Sequence, residues 1–457
     1  ATTAIRLTFT MHTRYKSDCS FAECELCEVK MKAAACVLVA LALVVSASAI
    51  PIFDQPLAKG GSNWVVLIAG SNTWGNYRHQ ADIYHAYQIV HKAGIPDDHI
   101  IVFHYDDIAD NSENPHRGVV INSPTGDNVY PGVPKNYVGA DVNAENFLNV
   151  LQGKAGSTSG KSTGGQLKST SSDNVFIYFA DHGGPGILGM PEGEAFLYAD
   201  DLNNALKTMH SNNMYNKLTF YVEACESGSI FASGALPSDI NVYAVTAANP
   251  DESSWGCYCP GQNPGPPSEY DTCLGDLFSV TWLQNTDSVG SSQTLETQYQ
   301  TVKQITSQNG TYDQGSHVMQ YGDTSFTSDK LSAFIGSVAP ASMDVSKMNI
   351  MNNWDAELAP LMKKPEALQA ALLERAVVEE KFKGVVREIM GGNEKGLELS
   401  REVSDWKCYK GAIESFKRDC GPIAQHAFKH LHYLVSLCNQ GVPLAKIDAA
   451  IEKVCHH

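Results

Sequence analysis

The chain has 457 residues, 43% hydrophobic and 18% charged, which allows large apolar cores and excludes a disordered polymer. Its formal net charge of −17 argues against nucleic acid or an anionic membrane as a main partner. At roughly 150 residues per domain, the length points to two or three domains.

The charge is uneven. Residues 51–340 hold 12 Lys and Arg against 30 Asp and Glu, whereas residues 341–457 hold 16 of each. The sequence begins with Ala, and residues 1–30 read as an unprocessed leader. Residues 31–49, from Met31 through an apolar run to the Ala47-Ser48-Ala49 box, read as a signal peptide followed by a short propeptide at 50–54. The apolar run, about 13 residues, is too short to cross a bilayer. Secretion makes disulfides the default for the eight cysteines beyond the signal.

Apolar runs then alternate with helical patterns. Strands are predicted at residues 63–70, 99–103, 175–180, 218–224 and 242–246, with a helix from Asp82 to Ala93 after the first. That alternation predicts an α/β fold with a mostly parallel central sheet covered on both faces. The Gly/Ser/Thr-rich stretch 153–173 reads as a mobile surface loop. A Cys259–Cys273 disulfide is expected to close a Pro-rich loop. If the last four cysteines pair among themselves, Cys225 and Cys257 remain free. Beyond residue 340 the pattern turns all-helical: a linker at 341–364, then helices at 365–390, 397–418, 422–438 and 444–455, stapled by Cys408, Cys420, Cys438 and Cys455. Four cysteines allow three connectivities. The Asn309-Gly310-Thr311 sequon is a candidate glycan acceptor.

Two predicted strands end in reactive residues. One runs into Asp181-His182-Gly183-Gly184, the other into Glu223-Ala224-Cys225-Glu226. The carboxyl ends of parallel strands are where sites form. A histidine beside a cysteine can generate the thiolate and later protonate a leaving amine. The amides of Gly183 and Cys225 could stabilise an oxyanion. A metal hydrolase built on Asp181, His182, Glu223 and Asp276 is the competing enzyme class, but no HExxH or paired-histidine motif supports it. A third reading is a catalytically inactive binding protein on the same fold.

Five segments in order resemble the legumain family of asparaginyl endopeptidases, also called vacuolar processing enzymes: Trp74–Asp82, Tyr178–Gly186, Glu223–Ser229, Ala247–Trp255 and Leu274–Asp276. The resemblance runs from about residue 55 to the C-terminus. It implies a caspase-like catalytic domain at 55–340 and an all-α C-terminal prodomain at 365–457 that inhibits until acid removes it. It implies Cys225 as nucleophile, His182 as general acid/base and Asn76 as the residue orienting it. Gly183 and Cys225 match the oxyanion hole, and Arg78, Glu223, Asp276 and Ser254 the pocket for the substrate Asn. An amide has both an acceptor and a donor, so Arg on one side and carboxylates on the other suit it.

The resemblance further implies the pairing Cys408–Cys438 with Cys420–Cys455. It implies self-cleavage at Asn349, Asn352, Asn353 or Asp355, and at Asp54. Protein and peptide substrates, cystatin-like inhibitors and a lysosomal, vacuolar or extracellular location are expected, with no cofactor and no metal. Some relatives ligate peptides rather than hydrolyse them. Asp181, Gly184, Pro185, Trp255 and Gly256 occupy the positions that bias this choice; Asp181 resembles a residue tied to ligation, and the pairs Gly184-Pro185 and Trp255-Gly256 resemble the hydrolytic type. The Pro-rich loop looks more like plant members than animal ones. Protonation of docking carboxylates is the expected acid trigger.

Overall fold

The computed structural model describes residues 61–191, 196–312, 315–341, 350–352 (backbone), 356–393 and 396–456. The expected leader, signal peptide and Asp54 lie outside these, as do Asn349, Asn353 and Asp355. No helix among the described residues is long and apolar enough to cross a membrane.

The first half comprises β1 (Asn63–Ala69), α1 (Tyr77–Lys92), β2 (Ile100–His104), β3 (Tyr137–Val138), α2 (Ala144–Leu151) and β4 (Asn174–Ala180). A small antiparallel sheet follows, β5 (Gly183–Gly184), β6 (Ile187–Gly189) and β7 (Phe196–Tyr198), leading into α3 (Ala199–Ser211). Then come β8 (Lys217–Glu223), β9 (Val242–Thr246), β10 (Trp255–Cys257), β11 (Gly275–Asp276), α4 (Leu277–Val289), α5 (Leu295–Thr306) and β12 (Met319–Gly322). The short turn α6 (Ser332–Ile335) and β13 (Ile350–Asn352) precede the C-terminal helices α7 (Pro365–Ile389), α8 (Trp406–Cys420), α9 (His432–Asn439) and α10 (Leu444–His456).

The main sheet has the order β12-β9-β8-β4-β1-β2-β3. All its pairings are parallel except β12 on β9. The central strands are apolar at nearly every position because both faces are covered. Val65, Leu67 and Ala69 face a core shared with α1 and α4, while Val66 and Ile68 face one shared with α2 and α3. Edge strand β12 is half-buried and ends in glycine, so it gave no apolar run to read.

Loop 153–173 is irregular, as expected, but tied down. Asp141 accepts from Ser159 N and Ser159 Oγ at 2.7 and 2.8 Å, Tyr137 OH donates to Gly165 O, and Leu167 is buried. Its composition shows the absence of regular structure, not the hydrogen bonds that hold it.

Disulfides join Cys259 to Cys273, Cys408 to Cys438 and Cys420 to Cys455; Cys225 and Cys257 are free and buried. The C-terminal helices enclose their own core, which also takes in Ile187 and Phe196 from the small sheet. The helix expected over 397–418 begins only at Trp406, where the Asp405 side chain caps it by accepting from Cys408 N. The segment expected as a helix over 422–438 is a tight 3-10 turn, Gln425–Leu431, before α9.

Candidate active site

The ends of β4 and β8 lie side by side. Ala180 pairs with Glu223, and Asp181 N donates to Glu223 O at 3.0 Å. His182 and Cys225 stand two residues beyond those paired positions, so register alone brings them to one edge. The Gly183 backbone packs on Cys225 closely enough that a Cβ at residue 183 would strike the Cys225 carbonyl oxygen. Cys225 is fully buried, with Sγ 3.9 Å from Ser254 O and 4.0 Å from Ser254 Oγ. Burial pushes its thiol well above the usual range, with Glu226 adding to the effect, so the thiol is protonated in this state.

His182 Nε2 lies 2.8 Å from Asn76 Oδ1 and 3.0 Å from Glu357 Oε1. These two acceptors lie nearer than the Arg78 Nη2 donor, 3.4 Å from the same nitrogen, and favour the proton there. Nδ1 is then the basic nitrogen of the neutral ring, and it is buried without a hydrogen-bond partner. Burial lowers the His182 pKa, against an upward pull from Glu357.

Asn76 is held by a loop whose tether the sequence did not reveal. Asn76 N donates to Thr73 O at 3.1 Å, and Asp107 fixes Thr73 through its backbone N–H at 2.6 Å. Asp271 accepts from Trp74 Nε1 at 2.8 Å and Thr272 Oγ1 donates to Trp74 O at 2.9 Å. The disulfide-closed loop therefore braces the residue preceding Gly75-Asn76.

Helix α1 starts at Tyr77, earlier than expected, and its first turn buries Arg78, His79 and Gln80. Arg78 Nε donates to Asp276 Oδ1 at 3.0 Å, with both side chains fully buried. Glu223 Oε2 accepts from Ser279 N and Ser279 Oγ at 3.0 and 2.9 Å. Asp82 joins the same cluster, receiving Asp276 N at 3.2 Å. Burial raises all three carboxyls, Glu223 to about 8; repulsion from Asp276 adds to the rise of Glu223 and Asp82, while Arg78 pulls Asp276 down, so at neutral pH this group shares protons. Asp181 is buried, its carboxylate oxygens without a hydrogen-bond partner, and burial pushes it well up; His79 Nδ1 is 3.4 Å away.

The ligand-type atoms of His79, Asp181 and His182 lie within 4.8 Å of one another. That trio differs from the metal set read from the sequence, because Glu223 and Asp276 turn instead toward Ser279 and Arg78.

The linker is built into the site. β13 runs antiparallel to β10, pairing Asn352 with Trp255, Met351 with Gly256 and Ile350 with Cys257. On its other side Gly256 pairs with Asp276. Ala356 and Ala359 pack on the Cys259–Cys273 disulfide, and between them Glu357 reaches His182. Arg375 grips the second carboxylate oxygen at 3.0 Å. Burial alone would raise Glu357, but His182, Arg375 and Arg78 hold it down at about 2. From the C-terminal region, Gln425 Oε1 accepts from Asn76 Nδ2 at 2.7 Å. Tyr409 OH donates to Pro185 O at 2.9 Å, and the Phe428 carbonyl oxygen comes within 2.9 Å of where a Cβ on Gly184 would be. Lys410 pairs with Asp200 and Asp201 at 2.9 Å each. Glu357, Gln425 and Tyr409 carry no local signal in sequence, since each is polar or aromatic in a helical or linker context.

Glu357, at about 2, stays ionised through the acid range. Beside the docking carboxylates, His426 titrates at this interface, and burial lowers its pKa to about 4. Glu357, Arg375, Lys429 and His182 face it. A histidine at about 4 here and about 6.5 when exposed takes up its proton more readily in the released state. The contribution of His426 to docking is therefore complete above pH about 6.5 and is lost as pH falls toward about 4, on the order of 2 kcal/mol. The variant His426→Gln is expected to lower the pH midpoint at which the C-terminal region is released by about half a unit. Size change of the full-length chain against pH checks this; an unchanged midpoint refutes it.

Comparison with known proteins follows the same lines. The Peptidase C13 family model matches residues 63–337, and the legumain prodomain model matches residues 366–455. The vacuolar-processing enzyme of Citrus sinensis is 43% identical over 428 residues, covering 87% of this chain and 85% of its own. Legumain of Canavalia ensiformis is 42% identical over 426 residues, covering 86% and 89%. A crystal structure of caspase-1 from Spodoptera frugiperda aligns with TM-score 0.32 and 11% identity over 57% of this chain and 86% of that one. The chain belongs to the peptidase C13 family. It is a cysteine endopeptidase that carries a legumain prodomain, and so is made as a zymogen.

Proposed function

We propose that the chain hydrolyses protein and peptide bonds after Asn, and after Asp at acid pH, with Cys225 as nucleophile and His182 as its base. The observation that carries this is the fully buried cluster in which the Arg78 guanidinium pairs with Asp276, with Glu223 next to Asp276 and Ser254, and Ser254 next to Cys225. An Asn side chain offers its carbonyl to Arg78 and its NH₂ to the carboxyls. Lys has no acceptor for Arg78. Asp fits once protonated, so its cleavage rises as pH falls through about 4.

Asn76 orients His182 through the Nε2 proton, leaving Nδ1 to take the thiol proton and return it to the leaving amine. The Gly183 and Cys225 amides stabilise the oxyanion. Substrate adds to β10 as a strand, in the place β13 takes in the zymogen. The linker residues Asn349, Asn352 and Asn353, with Asp54 at the N-terminal side, are the proposed maturation cuts. The exposed Asn309 carries the proposed glycan, and a vacuole or lysosome is the proposed compartment.

The test is a peptide series varying only the residue before the scissile bond, after acid maturation. Preference for Asn at pH 5.5 supports the reading, and equal cleavage after Gln or Lys sinks it. Arg78→Lys, which loses the planar fork, is expected to reduce kcat/KM for the Asn peptide by about 100-fold.

A further inference from the structure

We infer that Glu226 is a second specificity-determining residue: in the matured enzyme it holds a basic side chain of the substrate, outside the asparagine pocket, in the seat that Arg401 fills in the zymogen. The inference rests on the endopeptidase reading above.

Glu226 directly follows Cys225 and adopts a left-handed backbone, φ 53°. Its backbone N–H donates to Glu252 O at 2.7 Å, and Ser229 N donates to its carbonyl at 2.8 Å, so the side chain is fixed in direction from both sides. The carboxyl is fully buried. One oxygen takes the Arg401 guanidinium, and the other has no hydrogen-bond partner. Asp251 faces the same position. An arginine fork with one oxygen bound and one open is a seat built for a planar cation and only half used.

The seat is separate from the Arg78 pocket. Asp82, Glu223 and Asp276 act on one another and on Arg78, whereas the charges acting on Glu226 are Arg401 and Asp251. Arg401 enters a cleft between Ser229–Ala235 and Pro250–Asp251, walled on the prodomain side by Val403 and Trp406. Ser229 Oγ accepts from Gly186 N at 2.9 Å and donates to Gly184 O at 3.4 Å. The cleft therefore borders the end of β5 and the turn through Gly186, and Glu226 beneath it directly follows Cys225. Arg401 is delivered by the non-helical segment between α7 and α8, in the manner of an extended peptide.

Loss of the prodomain removes this cation and leaves a carboxylate in a region of 12 basic and 30 acidic residues. Burial pushes Glu226 up to about 8 in the zymogen, against the pull of Arg401. Release readmits water, which favours the ionised form that a basic side chain needs.

The test uses the full chain after its own acid maturation, assayed at pH 6. Peptides of Ala around a single Asn carry one Arg, moved in turn through the two positions before Asn and the three after it. At one position Arg is expected to raise kcat/KM about tenfold over Ala, through KM. In Glu226→Gln that Arg-to-Ala ratio is expected to fall to near one, and in Glu226→Asp to an intermediate value. The Asp variant keeps the result readable if the Gln variant fails to mature. No Arg preference at any position, or one that persists in Glu226→Gln, overturns the proposal. The Arg-free peptide distinguishes the two readings: if the unaltered enzyme leaves it uncut after Asn, the endopeptidase reading itself fails and this one with it.

Discussion

A full-length chain carrying Cys225→Ala, held at pH 4.5, is expected to keep its original length and to cleave no Asn peptide. The loss should be about 10⁴-fold or more, because a nucleophile that acts as a unit with its base leaves little behind when removed. The structure has a second free, fully buried thiol, which supplies the control. Cys257 sits in β10 between Gly275 and Ile350, its side chain packed in the core under the pocket. Cys257→Ala is expected to retain cleavage after Asn and to lower thermal stability, by about 1–2 kcal/mol, as a small buried side chain does when truncated. Gel mobility after acid incubation and initial rates on one peptide separate the outcomes. Maturation of Cys225→Ala at the normal rate would falsify the assignment of the nucleophile.

The second large effect concerns Glu357. It stands between His182 and Arg375, with each side chain of the Glu357–Arg375 pair about one-sixth exposed. Truncating one partner of a buried charge pair typically costs about 2–5 kcal/mol, much of it from the charge left behind. Glu357→Ala is therefore expected to weaken closure of the site by about 30-fold or more at neutral pH. The readout is alkylation of Cys225 in the full-length chain at pH 7, located by mass spectrometry so that Cys257 is not counted. Cys225 is fully buried in the zymogen and should react slowly. In the variant it should react tens of times faster, and equal rates would remove Glu357 from the lock.

Much of this arrangement was legible in sequence, and the exceptions have physical causes. β1, β4, β8 and β9 read as strands because a parallel sheet covered on both faces needs unbroken apolar runs. His182 and Cys225 read as a site because each follows such a run directly. The start of α1 was missed since Arg78, His79 and Gln80 are polar yet buried, so no apolar period marks that turn. β13 and the Glu357 contact were missed because a strand of three residues is specified by the β10 edge it meets, not by its own composition. The 397–405 segment looked helical by residue type, but Ser400, Arg401 and Ser404 are spent on Ser436, Glu226 and Asn439. Long-range partners of this kind leave no local periodicity.

The linker strand and the helices it leads to belong to the same chain as the site they cover. Their hold is an intramolecular one, with an effective concentration in the millimolar range for a short tether. Cutting the linker between β13 and α7 would break that tether while leaving the apolar contacts of Ile187 and Phe196 with the helical core in place. Inhibition would then depend on dilution, with the severed prodomain staying bound in a crowded compartment and leaving in a dilute one. One scission and one change of volume would together set the activity, so the nicked protein would behave as a complex with a dissociation constant rather than as a switched-on enzyme.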